Sequence, residues 1–195
     1  MAHEKQQKKP ISKLFKAMQQ PDFYEQILIK LVSSKDFPNK EFANTLLQNL
    51  PINSPKANED LLGRLFISIV NPFQTIDIDK AREGKTQTWK NAQTWLDWLL
   101  QISNSSENSL NFRFGNTIFH WMLLQYKKQT ERPEKDPLLL LIKLLSVDPE
   151  LLEHLITKKN SAGSTSLHFA IVHNHLPYMQ YLLKKKYIEK HPNLC

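Results

Sequence analysis

Residues 160–186, NSAGSTSLHFAIVHNHLPYMQYLLKKK, decide how the rest of the chain reads. A weaker copy stands upstream at Gly115-Asn116-Thr117-Ile118-Phe119-His120. Gly115 and Gly163, Thr117 and Thr165, and His120 and His168 share one frame of 48 residues. Three side chains of unlike chemistry kept in one frame point to a repeated unit. Repeated units stack, each burying its apolar face only against its neighbours. Each glycine is predicted to sit in a tight hairpin that needs a backbone angle costly for other residues. Each threonine opens the following helix, where its hydroxyl can cap free amides. Each histidine, on the opening turn, is placed to satisfy nearby backbone groups. Leu167, Ala170, Met179, Leu182 and Leu183 would form the core between units, with Ala170 small enough for helices to approach.

Working outward, Lys127 to Asp136 is a charged insertion containing Pro133. Leu138 to Leu145 is predicted helical, and Asp148-Pro149-Glu150 caps a further short helix carrying Leu151, Leu152, Leu155 and Ile156. Upstream, Asp22 and Glu25 have capping-box spacing, followed by a stripe of Phe23, Ile27, Leu28, Leu31 and Val32. Lys40 to Leu50 presents Phe42, Leu46, Leu47 and Leu50. A third helix starts at Asn58 with Leu61, Leu62, Leu65, Phe66, Ile69 and Val70 along one side, ending before Pro72. Phe73 to Lys80 alternates weakly and reads as an extended connector. Thr86 to Ile102 carries Trp89, Ala92, Trp95, Leu96, Leu99 and Leu100 at helical spacing, with Trp98 on the flank. Tryptophans on a helical stripe are core material rather than a ligand cage. Ser103 to Ser109 is polar and reads as a loop.

The chain is therefore expected to be all-α. It divides into a disordered basic tail (1–10), a helical N-terminal region that caps the stack (11–103) and a repeat region with its insertion (104–195, insertion 127–136). Its 195 residues suit one compact domain or a helical module joined to a short array. The longest apolar run, Pro137 to Ile142, is too short to cross a bilayer, and no signal-peptide segment follows the charged N-terminus. Cys195 is the only cysteine, which excludes an intramolecular disulfide and any cysteine-based metal cluster. These features predict a soluble protein of a reducing, cytoplasmic compartment.

The net charge is +7. Lys5, Lys8, Lys9, Lys13 and Lys16 form one basic run; Lys184, Lys185, Lys186 and Lys190 form another. Such runs could draw nucleic acid or acidic membrane, but they lack interleaved aromatics for base stacking. Only Arg64, Arg82, Arg113 and Arg132 offer the bidentate geometry that phosphate recognition favours. The runs read as a solvated tail and a helix end, with no specific nucleic-acid partner.

Gly163-Ser164-Thr165-Ser166-Leu167-His168-Phe169-Ala170 resembles the ankyrin-repeat pattern Gly-x-Thr-Pro-Leu-His-x-Ala. Asn174-His175 falls where that family has Gly-His, and Leu182-Leu183 where it has paired leucines. The resemblance is strong over 158–186, moderate over 111–145 and absent upstream of about residue 104. Ser166 replaces the usual proline, Asn174 the inter-helix glycine and Lys186 a later glycine. In the first unit Ile118, Phe119 and Trp121-Met122 also depart from the pattern, which marks divergent repeats. The resemblance implies a short helical solenoid whose hairpin tips and first helices grip a partner protein. On this sequence those positions are Phe112, Arg113, Phe114, Trp121 and Gln125, then Asn160, Ser161, Ala162, Ser164, His173 and Asn174. A competing reading packs Phe112, Phe114 and Trp121 against the tryptophan helix. Two units are fewer than a stable stack needs, so residues 22–102 must seal one end. Tyr187 to Cys195 is too short to seal the other: either the chain is part of a longer one, or that end docks a partner.

The Asn/Gln/Lys-rich, Gly-poor composition resembles that of secreted effectors of intracellular bacteria. That resemblance implies a host protein as partner and delivery into a host cell without a cleaved signal peptide. His168, His173 and His175 have a tempting spacing for zinc, which wants three or four converging ligands. The repeat pattern already gives two of them structural work, so no metal site and no cofactor are expected. No Gly-rich phosphate loop, H-E-x-x-H, G-x-S-x-G or kinase set occurs, and the acidic pair Asp77 and Asp79 reads as a solvated loop. The alternative to a non-catalytic binding module is an enzyme with an unrecognised active site in residues 11–103, the repeats serving to target it.

Overall fold

The computed structural model describes residues 23–34, 39–48, 50, 55–104, 112–125 and 133–184. Among these, every regular element is helical, so the chain is all-α. The elements are α1 (Phe23–Ser33), α2 (Lys40–Gln48), α3 (Pro55–Val70), a 3-10 turn (Asn71–Gln74), α4 (Ile78–Glu83) and α5 (Gln87–Asn104). A 3-10 turn (Arg113–Gly115) then leads to α6 (Ile118–Gln125), and another (Pro133–Lys135) to α7 (Pro137–Leu145). The last three are α8 (Pro149–Thr157), α9 (Ser166–Val172) and α10 (Leu176–Lys184). The expected tail over residues 1–10, the cap at Asp22 and most of the 127–136 insertion lie outside the described residues. No described helix is long and apolar enough to cross a membrane.

Helix α3 is the hub. It packs against α1, α5, α6 and α7 and touches the first hairpin. Leu61, Leu62, Leu65, Phe66, Ile69 and Val70 are all buried. One side of a helix cannot serve four neighbours, and Gly63 supplies the missing contact. A β-carbon placed there would lie far inside van der Waals contact with three atoms of the Trp121 ring. Glycine within a helix costs about 0.5–1 kcal/mol relative to alanine, and here it admits an indole. Trp121 also donates through Nε1 to Asp60 Oδ1 at 3.3 Å, and Glu25 pairs with Arg64 to tie α1 to α3. Buried residues from Leu28 to Leu182 form one contiguous core, so the N-terminal helices and the hairpin units share it.

The tryptophan stripe on α5 is core as expected. Trp89, Trp95 and Trp98 are buried, Trp95 and Trp98 meeting edge to face at 5.3 Å. Trp98 is no flank residue, because its Nε1 reaches Asn44 Oδ1 of α2 at 2.8 Å. Four further expectations need correction. Helix α3 begins at Pro55, with Asn58 buried inside it rather than starting it. On α2, Phe42 is exposed and Ala43 is buried beside Leu46, because small Ala43 lets α1 approach. Phe73 to Lys80 is not extended. Asp77 Oδ1 accepts the Asp79 and Lys80 amides at 3.0 and 3.2 Å and starts α4. Those bonds, that of Lys80 first, hold the Asp77 carboxyl below the usual range. Asp79 pairs with Lys143 at 2.6 Å and Arg82 at 3.4 Å, which accounts for that acidic pair. Finally, Asp136 is buried rather than part of a solvated insertion. It caps α7 through the Leu138 and Leu139 amides.

Gly63→Ala is expected to lower stability by about 1–2 kcal/mol, the overpacking cost exceeding the gain in helix propensity. Urea unfolding followed by circular dichroism measures it; a stabilised variant would contradict the packing described.

Candidate partner-binding surface

The two units of the 48-residue frame are built alike. In the first, Phe114 and Gly115 both have positive φ, at 57° and 69°, and turn the chain into α6. In the second, Gly163 has φ of 77° with open space around a would-be β-carbon, so its backbone angle alone demands glycine. Thr117 donates its amide to His120 Nδ1 at 3.1 Å with its hydroxyl 2.9 Å from the same nitrogen. Thr165 and His168 repeat these two distances, 3.1 and 2.9 Å.

The hairpins lie against each other. Ser161 donates its amide to the Phe114 carbonyl at 2.7 Å, and the Asn160 side chain donates to Asn116 Oδ1 at 3.0 Å. Asn160 Oδ1 also accepts the Ala162 and Ser164 amides at 3.0 Å, which folds the turn. The joint is completed by His120. With Nδ1 accepting an amide, Nε2 carries the proton and donates to the Ser164 carbonyl at 3.0 Å. Burial holds the His120 pKa below its ordinary 6.5, with the nearby Lys158 and His168 adding to the effect and the Ser164 bond opposing it. Behind the joint, α6 packs on α9, α7 on α10, and α8 touches both α6 and α9.

The residues expected to meet a partner divide three ways. Trp121 lies on Gly63 inside the core, and Phe112 is half-buried with its ring 6.2 Å from Phe66. Asn160 and Ser164 carry the hairpin joint. These four are engaged within the protein: Trp121 and Phe112 against α3, Asn160 and Ser164 against the first hairpin unit. Arg113, Phe114, Ser161 and Ala162 come together at the tips. Phe114 is 64% exposed and carries the Arg113 guanidinium 4.7 Å above its ring. Glu59 stands behind that tip. Burial raises its carboxyl pKa, opposed by the Arg113 backbone amide, the Arg113 guanidinium and the Asn116 side chain. Gln125, His173 and Asn174 are exposed at the opposite ends of α6 and α9, Gln125 and His173 being equivalent in the frame. Asn174 turns the chain with φ of 53°, as its replacement of a glycine suggests.

His168, His173 and His175 do not converge. His168 caps α9, and His173 is exposed at its end. His175 accepts the Tyr178 amide at Nδ1, and its Nε2 lies 3.3 Å from buried Asp136. Among the described residues no three His, Cys, Asp or Glu side chains are grouped to hold a metal. Sequence reasoning missed the His175–Asp136 link and the Ser166–Tyr178 pair, 2.7 Å apart, that closes α9 on α10. Asp136 directly before Pro137 was the available signal, since Asp followed by Pro marks a helix start. No family model matches the chain, and neither a curated protein nor a solved structure matches it.

His120→Ala is expected to cost about 3 kcal/mol and His168→Ala about 1 kcal/mol, since the first empties a fully buried site and removes the bond to the Ser164 carbonyl across the joint as well as the acceptor of an amide. Chemical denaturation of both variants checks the order. Stability is also expected to fall on acidification. The unfolded chain takes up a proton near pH 6.5 while the buried His120 resists it. The contribution is complete above that pH and is lost progressively below it. Melting curves of the protein and of His120→Gln, taken from pH 7.5 downward, should diverge above and converge below.

Proposed function

We propose that the chain is a non-catalytic protein–protein interaction module that grips a partner protein with its hairpin tips. The observation that carries this reading is the Arg113–Phe114 tip. A phenylalanine 64% exposed at positive φ, covered on one face by a guanidinium, is an unusual use of a core residue. Aromatic and arginine side chains are the groups that anchor protein interfaces. Ser161 supports the tip through its bond to the Phe114 carbonyl, so the surface is held ready rather than ordered on binding. The ankyrin-like pattern supports the same reading, because such units bind partners with hairpins and first helices. The composition points to a host protein as partner, met by an effector delivered into the eukaryotic cell.

Capture of partners from eukaryotic lysate by the intact chain tests this. Phe114→Ala should reduce recovery of a specific partner at least about tenfold, equivalent to 1.4 kcal/mol, with the melting temperature unchanged. Equal recovery by both proteins would refute the role of the tip.

A further inference from the structure

The hairpin joint carries cations that have no anion of their own. Arg64 pairs with Glu25 and Arg82 with Asp79, but Arg113 forms no ion pair with a described residue. Lys158 and Lys159, which lead into the second hairpin, are exposed and also form none. The Arg113 guanidinium lies over the Phe114 ring instead, a contact that leaves its fork of N–H donors to meet a carboxylate. Behind this tip a cavity of about 110 Å³ opens between the first hairpin, α3, α5 and α8. Phe66, Leu100, Phe112, Ile118 and Leu155 line it, and exposed Lys158 sets a cation at its rim. It is smaller than the ~150 Å³ that takes up a benzene ring, so it suits a branched aliphatic side chain and not an aromatic one.

We propose that the tip recognises an acidic peptide segment of its partner. One Leu, Ile or Val of that segment enters the cavity, and neighbouring Asp or Glu side chains meet Lys158 and Arg113. The assignment rests on the tip being the surface that meets a partner, and it names what that surface takes. Unpaired cations facing carboxylates supply complementary charge, which sets partner choice and speeds encounter. Arg113 and Lys158 belong to different hairpin units. The Ser161–Phe114 and Asn160–Asn116 bonds between the hairpins hold their spacing before any partner arrives. Nucleic acid offers the same negative charge, but its bases are flat aromatic rings that the cavity does not admit. An acidic bilayer presents headgroups to the recess and no branched side chain to fill it.

Selection of peptides from a random library displayed on phage, against the full chain, is the test. Recovered sequences should carry Leu, Ile or Val with Asp or Glu beside it. A synthetic copy of the commonest sequence should bind Lys158→Glu and Arg113→Gln at least about tenfold more weakly, at unchanged melting temperature. Lys158→Arg should retain binding, added salt should weaken it, and replacing the aliphatic residue of the peptide by Ala should abolish it. Peptides that need Phe114 but lack acidic residues, or that ignore both charge variants, would overturn the proposal while leaving the tip as the partner surface. Peptides indifferent to Phe114→Ala, or none recovered, would overturn both. Oligothymidylate or phosphatidylserine vesicles bound more tightly than the peptide, and released by Lys158→Glu, would overturn the choice of a peptide.

Discussion

The indole of Trp121 lying on Gly63 holds the two halves of this protein together. Helix α3 must serve α1 and α5 on one side and α6 and α7 on another, and the α6 contact is possible only where the helix has no side chain. The ring nitrogen finds Asp60 one turn earlier, so the buried indole keeps its hydrogen bond. With that contact made, the N-terminal helices and the hairpin units bury one continuous core. A glycine that weakens its own helix thereby admits the indole to that core, beside the α3–α7 contact and the Lys143–Asp79 pair that also join the two halves.

Three imidazoles extend the same order through the C-terminal half. His120, His168 and His175 each accept a backbone amide three residues away at Nδ1, which fixes the proton on Nε2. What lies beyond Nε2 differs in each case. His120 donates to the Ser164 carbonyl of the neighbouring hairpin, His175 stands 3.3 Å from the Asp136 carboxylate at the head of α7 without forming a hydrogen bond to it, and His168 faces the open side of α9. One local rule, applied three times, builds an internal joint, a cross-brace and an edge.

Much of this was legible in the residues. Apolar spacing located α1, α3, α5, α7 and α8, and prolines or aspartates marked most of their ends. The 48-residue frame found the paired hairpins, whose equivalent threonine–histidine contacts agree to 0.1 Å. The failures have two causes, one local and one tertiary. Asp77 starts a helix instead of an extended connector because two amides of its own turn are the nearest partners for its carboxylate. Phe42 faces solvent while Ala43 is buried because α1 needs a close approach there. Trp121, Asn160 and Ser164 looked like surface because hairpin tips and first helices usually are. Here the neighbouring unit or α3 already occupies them.

By itself the sequence determined the helical class, the two hairpins and the caps at Asp148 and Thr165, since these depend on side chains within one or two turns of each other. The tertiary structure alone decided which apolar faces are covered and which remain open. Leu123 and Ile171 are chemically alike and equivalent in the frame, yet one is sealed and the other bare. Burial is a property of the neighbour that arrives, and no residue carries that information in its own spacing.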